Sequence, residues 1–114
     1  MKRISTHVLD TTLGKPAAGV AVRLERLEEA GSWRQVGAAK TDADGRCAQL
    51  LPENDVLLAG RYQLAFETGS YFAGLGVTGL YPVVEITFEV RSGEEHFHVP
   101  LLLSPNGYTT YRGS

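Results

Sequence analysis

Cysteine is nearly absent from this sequence. The single thiol, Cys47, has no second cysteine to pair with in the chain, which excludes an internal disulfide and any zinc or iron–sulfur site built from several cysteines. An excess of charge is also lacking, since eleven Lys and Arg residues oppose thirteen Asp and Glu residues for a net charge of −2. Nucleic acid and anionic membrane surfaces attract basic patches, so we expect neither as a partner.

Long apolar runs are missing as well. No stretch reaches the roughly 20 apolar residues that a membrane-spanning helix needs. The N-terminal segment begins with basic residues, but Ser5, Thr6, His7 and Asp10 interrupt the apolar region that a signal peptide requires. The sequence therefore predicts a cytoplasmic protein.

What is present is the composition of a single globular domain. The 114 residues are 43% hydrophobic and 21% charged, and a chain of this length buries roughly two thirds of its unfolded surface without needing disulfides. The sequence shows no internal repeat, linker or low-complexity tract. These features predict one domain over residues 1–114.

The hydrophobic pattern has a period of two residues. Apolar and polar side chains alternate over residues 84–91, and the same alternation occurs over 20–25 and 62–67. Turn sequences rich in Gly, Pro, Asn and Asp separate these segments. Short alternating segments between turns predict an all-β, antiparallel sandwich. The eight predicted strands lie near 4–10, 20–28, 33–40, 46–51, 60–67, 83–91, 95–104 and 107–113.

One short helix is predicted over residues 69–77, with Ser70 as its N-terminal cap. Glycines weaken it, and Pro82 prevents it from continuing. Residues 74–79, GLGVTG, match the spacing of a dinucleotide-binding loop, but no βαβ unit surrounds them. Residues 42–45, DADG, lack the later glycine and closing glutamate of a calcium loop. We expect a helix exit and a hairpin turn instead.

Histidines and apolar side chains share strand faces that a monomeric sandwich would leave polar. In segment 96–103 the odd-numbered residues are all apolar and predict the core face. The outer face then carries His96, His98, Pro100 and Leu102. On the first strand the outer residues are Ser5, His7 and Leu9. Such a sheet is expected to pack against something, most simply a second copy of the chain.

Three interpretations of the histidines remain open at this point. They are interface residues without chemistry, or ligands of a metal such as zinc, which three imidazoles can hold. The third interpretation is a metal-free hydrolytic site, in which an imidazole with a pKa near neutrality acts with a guanidinium and hydroxyl groups.

Three segments of the chain resemble the transthyretin-like family of 5-hydroxyisourate hydrolases. They are the opening Ser-Thr-His-Val-Leu-Asp with Gly14, Pro16 and Ala17, the turn from Thr41 to Arg46, and the ending from His98 to the C-terminal Tyr-Arg-Gly-Ser. The resemblance spans essentially the whole chain. The C-terminal tetrapeptide is its most specific part, because it separates these enzymes from transthyretin, a hormone carrier with the same fold.

The resemblance implies a transthyretin-like sandwich that forms a homotetramer, with active sites at the dimer–dimer interface. It implies no metal or organic cofactor, although His7, His96 and His98 offer imidazoles that zinc would bind adventitiously. The implied catalytic residues are His7, Arg46, His98 and Ser114. The residues expected to bind substrate are Tyr111, Arg112, Gly113, Leu9 and Pro100.

The implied reaction opens the six-membered ring of 5-hydroxyisourate by hydrolysis and yields 2-oxo-4-hydroxy-4-carboxy-5-ureidoimidazoline in urate breakdown. An imidazole suits the activation of water and the protonation of the leaving nitrogen. Arg46 stays charged and suits both a urate-like ring and the developing oxyanion. The residues leave open whether His7 or His98 is the base. The alternative function is a transthyretin-like carrier that binds a small molecule without turnover.

Overall fold

A computed structural model describes residues 2–114. Over this range the chain forms ten strands and one helix, arranged as two sheets around a common core. The elements are β1 (Arg3–Asp10), β2 (Lys15–Pro16), β3 (Ala21–Leu27), β4 (Trp33–Lys40), β5 (Arg46–Cys47), β6 (Gly60–Phe66), α1 (Thr68–Gly74), β7 (Val84–Val90), β8 (His96–His98), β9 (Leu101–Ser104) and β10 (Gly107–Thr110). The all-β sandwich with one short helix is confirmed. No helix in the described range is long and apolar enough to cross a membrane.

The sheet that carries the histidines is built around β1. Strands β2 and β5 pair with β1 in antiparallel orientation, and β8 and β9 pair with it in parallel orientation. Strand β10 completes this sheet by pairing antiparallel with β9. Pairing is therefore antiparallel, as predicted, except between β1 and the two strands β8 and β9. Alternation shows which face of a strand is buried, but it carries no information on the direction of the neighbouring strand.

The second sheet has the order β4–β3–β6–β7 and is antiparallel throughout. Its inner side chains meet those of the β1 sheet. The predicted core faces are confirmed, because the following residues are all at most 7% exposed: Ile4, Val8, Val22, Leu24, Leu64, Phe66, Phe97, Val99, Leu101 and Leu103. Burying one such aliphatic or aromatic side chain stabilises the fold by about 1.5–3 kcal/mol.

Two predicted strands near the site are too long. The strand predicted over 46–51 keeps only Arg46–Cys47, because the side chain of Gln49 replaces a backbone partner: its Oε1 accepts the Ile4 N–H at 3.1 Å. The strand predicted over 95–104 divides into β8 and β9. The division falls at Pro100, which has no N–H to donate to a ladder.

Other boundaries also differ from the sequence prediction. The strand predicted over 107–113 ends at Thr110, and the chain returns to the sheet through one isolated bridge between Gly113 and His98. Lys15–Pro16, which lies outside the predicted strands, forms the short strand β2. The tight turn at 42–45 leads from β4 in one sheet to β5 in the other and is therefore not a hairpin within one sheet.

The helix is shorter than predicted and is capped differently. It spans Thr68–Gly74, and Glu67 rather than Ser70 occupies the N-cap, with no side-chain capping hydrogen bond. The predicted cap at Ser70 is therefore wrong. Thr68 instead donates its hydroxyl to the Tyr81 carbonyl at 2.9 Å. The chain leaves the helix through Gly76, whose φ of 73° favours glycine, so the expectation of a glycine-containing helix exit over 74–79 is confirmed.

Candidate active site

Strand β1 positions the candidate site because it lies between β5 and β8. His7 pairs with Arg46 across the β1–β5 ladder, and Ser5 pairs with His98 across the β1–β8 ladder. The alternation along β1 buries Thr6 and leaves Ser5 and His7 half-buried on the outer face. Two imidazoles and one guanidinium, which are distant in sequence, are thereby brought to one face of the sheet.

His98 is restrained through its side chain and through its backbone. Its Nδ1 lies 2.8 Å from the Ser5 hydroxyl oxygen, and its backbone carbonyl accepts the Gly113 N–H at 2.7 Å. Burial lowers the pKa of the His98 ring, and the neighbouring His7 and Arg46 lower it further. The His98 ring is therefore neutral at neutral pH and has a lone pair with which to accept a proton.

His7 and Arg46 are both positioned by the turn that precedes β5. The His7 Nε2 lies 2.9 Å from the Asp44 carbonyl oxygen, and because a carbonyl only accepts, Nε2 carries the hydrogen. The Asp42 carboxylate accepts the backbone N–H groups of Asp44 and Arg46 at 2.9 and 3.0 Å. The bond from Arg46 is the main reason why the pKa of Asp42 is lowered. The turn thus fixes the backbone from which the exposed Arg46 side chain projects.

The C-terminal segment folds onto His98 through Gly113. A Cβ atom at position 113 would lie 2.5 Å from the His98 Cδ2, which is closer than any side chain tolerates, so only glycine fits against this ring. Tyr111 and Ser114, on either side of this contact region, are exposed. The tail therefore supplies a close backbone contact to one imidazole and two accessible hydroxyl-bearing side chains beside it.

Arg112 is directed elsewhere in this subunit. Its guanidinium donates to the Glu94 carboxylate and to the His96 carbonyl, each at 3.0 Å, and lies 4.6 Å from the centre of the Phe97 ring. Arg112 is the main reason why the pKa of Glu94 is lowered. Phe97 belongs to the core face, so these contacts place the Arg112 guanidinium on the opposite side of β8 from His98. Its expected contact with substrate stays a prediction.

Apolar residues continue the outer face beyond the imidazoles. Leu9 is half-buried and is paired with Leu102 across the β1–β9 ladder, and Pro100 is buried. The remaining histidine, His96, is exposed at the start of β8. Among residues 2–114, no group of three or more His, Cys, Asp and Glu side chains is placed to hold a metal ion. Burial raises the pKa of the Cys47 thiol to about 11, so this core residue is protonated and unreactive at neutral pH.

Sequence reasoning missed two contributors to this arrangement. Ser5 was expected on the outer face but was given no role, and Asp44 was treated only as part of a turn. The contact between Ser5 and His98 joins residues 93 positions apart. The pairing of β1 with β8 that creates it leaves no local signal in either segment.

The fold and the site together define a class: a two-sheet β-sandwich with an imidazole–guanidinium cluster on the outer face of one sheet and a C-terminal tail packed on that cluster. The chain belongs to the HIUase/Transthyretin family, whose family model matches residues 4–113.

The similar proteins include both 5-hydroxyisourate hydrolases and transthyretins. The 5-hydroxyisourate hydrolase of Mus musculus is 46% identical over 112 residues, which cover 97% of this chain and 94% of that protein. The structure of Klebsiella pneumoniae 5-hydroxyisourate hydrolase matches with a TM-score of 0.85 at 42% identity over 100% of both chains. Sea bream transthyretin in complex with thyroxine matches with a TM-score of 0.89 at 33% identity, over 96% of this chain and 93% of that one. The fold alone therefore does not separate hydrolase from carrier.

Proposed function

We propose that this protein hydrolyses 5-hydroxyisourate, opening its six-membered ring in the degradation of urate. The observation that carries the proposal is the meeting of His7, Arg46 and His98 on one strand face, since a pure carrier needs no such set of proton-transfer and charge-stabilising groups. Similarity to 5-hydroxyisourate hydrolases over nearly the full length supports the same activity.

His98 is the proposed general base. Its neutral ring accepts a proton from a water molecule while the water oxygen bonds to a ring carbonyl carbon of the substrate. His98 is proposed for this step because burial, and then His7 and Arg46, lower the pKa of its ring and so favour the neutral form that accepts a proton. When the tetrahedral intermediate collapses, the C–N bond breaks and the leaving nitrogen takes a proton, for which one of the two imidazoles is the proposed donor: His98, after it has accepted the proton from water, or His7.

Arg46 is the proposed electrostatic group. A guanidinium remains charged at all relevant pH values and presents a planar set of donors. This geometry suits the carbonyl oxygens of a flat heterocycle and the negative charge that develops on the attacked carbonyl. Its exposed position at the start of β5 makes the guanidinium accessible to a ligand on the outer face of the sheet.

The proposed walls of the site come from the tail and from the apolar outer face. Leu9, which is half-buried, provides apolar surface that favours a flat ring and excludes water. Pro100 is buried in this structure, and it is proposed to back the same wall. Ser114 is proposed as a catalytic hydroxyl beside His98, and Tyr111 and Gly113 as binding residues. Arg112 belongs to the same proposed binding segment, and its bond to Glu94 anchors the segment to the loop between β7 and β8.

The proposed active unit is a homotetramer of single domains spanning residues 1–114, with each site at the dimer–dimer interface. A shallow outer face needs a second subunit to enclose a substrate, and half-buried apolar side chains on that face favour such packing. The proposed unit works without a metal or organic cofactor. A cytoplasmic location stays a prediction.

The test uses substrate generated freshly by uricase and follows the decay of its near-ultraviolet absorbance. We expect catalytic acceleration of the decay by protein at concentrations far below that of the substrate. A protein that binds the compound at a fixed stoichiometry and leaves its rate of decay at the buffer value would be a carrier, and the hydrolase proposal would fail.

A further inference from the structure

We propose that Ser5 is a positioning residue: its hydroxyl accepts a hydrogen bond from the His98 Nδ1–H and so leaves Nε2 unprotonated as the basic atom of the site. The inference rests on the proposed function for its kinetic consequence. The tautomer itself is a property of the free protein and is measured without substrate.

The backbone of the two strands fixes this contact. Ser5 and His98 are direct partners in the parallel β1–β8 ladder, and the Val99 N–H donates to the Ser5 carbonyl at 3.0 Å. Both side chains leave the sheet on its outer face and are half-buried. The separation of 2.8 Å between the Ser5 Oγ and the His98 Nδ1 is a full hydrogen bond. A short side chain on a paired strand holds the ring with little conformational freedom.

The choice of tautomer follows from the charges around the ring. A neutral imidazole has an N–H on one ring nitrogen and a lone pair on the other. The hydrogen-bond partner of one nitrogen therefore determines which nitrogen keeps the lone pair. Arg46 places a permanent positive charge near His98, and His7 adds one when it is protonated. Positive neighbours attract a lone pair and repel an N–H, so they favour the tautomer in which the N–H is turned to the Ser5 oxygen.

Gly113 restrains the opposite part of the same ring. Its backbone lies against Cδ2, the carbon bonded to Nε2. The ring is therefore held at Nδ1 by Ser5 and at Cδ2 by the tail, and a 180° flip, which would exchange Nδ1 with Cδ2, would break the bond to Ser5 and turn Nδ1 toward Gly113. Ser5 and Gly113 contact different atoms of one ring. The effect of the Ser5 hydroxyl can therefore be separated from that of the tail by mutation.

The direct test is nitrogen-15 NMR of the three histidine rings in the free protein, in alkaline buffer above the ordinary imidazole pKa of about 6.5. His98 resonances are assigned from their loss in His98→Gln. We expect a protonated Nδ1 and a bare Nε2 in the wild type and in Ser5→Thr, which retains the hydroxyl. In Ser5→Ala the His98 signals should shift toward the Nε2–H form. A wild-type His98 that carries its proton on Nε2 would overturn the proposal.

Kinetics on 5-hydroxyisourate provide the second readout. Ser5→Ala should lower kcat about tenfold with little change in KM, because the ring remains but its basic atom is often protonated. Ser5→Thr should restore most of the rate. The matched control is Ser104→Ala, which removes a hydroxyl bonded to the Gly107 carbonyl in the same sheet and should leave kcat unchanged.

The two proposals fail separately. If the wild type shows the expected tautomer but no turnover, the proposed hydrolase function fails and the positioning role of Ser5 stands as a structural fact. If the wild type turns over substrate and Ser5→Ala matches it in both kcat and ring tautomer, the role of Ser5 is refuted while the hydrolase function stands.

Discussion

At the scale of the residue, the candidate site depends on which side chains share the outer face of the β1 sheet. Alternation along the sequence correctly predicted that His7 and His98 point away from the core, because a strand exposes every second residue. Arg46 was assigned only through resemblance. Its proximity to His7 depends on the β1–β5 register, and register between distant segments is not encoded in either segment alone.

Removing either of the two side chains beside His98, His7 or Arg46, should impair turnover without unfolding the protein. We expect His7→Ala and Arg46→Ala each to lower kcat/KM about 100-fold, since each removes a proton-transfer or charge-stabilising group. His96→Ala is the matched control, because His96 lies outside the cluster and should retain the wild-type rate. Steady-state kinetics with thermal unfolding as a folding check would measure this; full activity in both site variants would refute the assignment.

The pH dependence should report on His98. The His98 pKa is lowered by burial first and by His7 and Arg46 next, so activity should fall with decreasing pH only below the ordinary value of about 6.5. Because the His98 pKa is lower in the folded protein, the unfolded chain binds a proton at His98 more readily than the folded protein does. The free energy of unfolding should therefore decrease as the pH falls from about 6.5 through the folded-state pKa of His98.

Replacing His7 should change that titration in a defined direction. His7→Gln removes a positive neighbour, so the His98 pKa should rise and the acid limb of the kcat/KM profile should move to higher pH. NMR titration of the His98 ring checks the same shift directly. A His98 pKa that stays constant or falls in His7→Gln would contradict the arrangement of charges described above.

At the scale of the element, the C-terminal tail and the helix α1 show where sequence patterns lose information. The tail was predicted as a continuous strand, but its last residues bond to His98 through a single bridge. Helix α1 was given a local cap at Ser70, whereas its anchor is a tertiary bond from the Tyr71 hydroxyl to the buried Asp10 at 2.8 Å. Both contacts join segments distant in sequence, which local propensity does not describe.

Gly113→Ala should lower the activity strongly, although it adds only one methyl group. The added Cβ would press on the His98 ring and displace the base from its working position, and a shift of about 1 Å typically costs about 100-fold in rate. Gly107→Ala is the matched control, because the atom nearest to a Cβ added at position 107 is the Ser104 hydroxyl oxygen, at an ordinary contact distance of 3.7 Å. Equal kcat values for the two variants would show that the tail does not position His98.

Tyr71→Phe tests the anchor of α1. It leaves the buried Asp10 carboxylate with only its bonds from the Thr12 and Leu13 N–H groups, and the loss should lower the free energy of unfolding by about 1–3 kcal/mol. Tyr81→Phe, at an exposed ring, should change it by less than about 0.5 kcal/mol. Urea unfolding of both variants measures the difference, and equal stabilities would contradict the anchoring role.

At the scale of the whole molecule, the sandwich architecture was predictable because it follows from alternation and turns over the entire chain. The mixed pairing of β1 was not, since strand direction depends on how the connections run. The site is an open face of the β1 sheet, and the complete active site is therefore proposed to lie between subunits.

Assembly and activity should therefore be lost together. Light scattering coupled to size-exclusion chromatography should give about four times the chain mass of 12.4 kDa for the active protein. A monomer with the full wild-type rate would show that one subunit is sufficient and would contradict the proposed interface location.

The most direct test of the central claim compares wild type with His98→Gln in the 5-hydroxyisourate decay assay, at equal concentration and verified fold. We expect saturable, catalytic decay with the wild type and a kcat at least about 100-fold lower with the variant. A wild type that does not exceed the buffer rate, or a His98→Gln variant that equals the wild type, would contradict it.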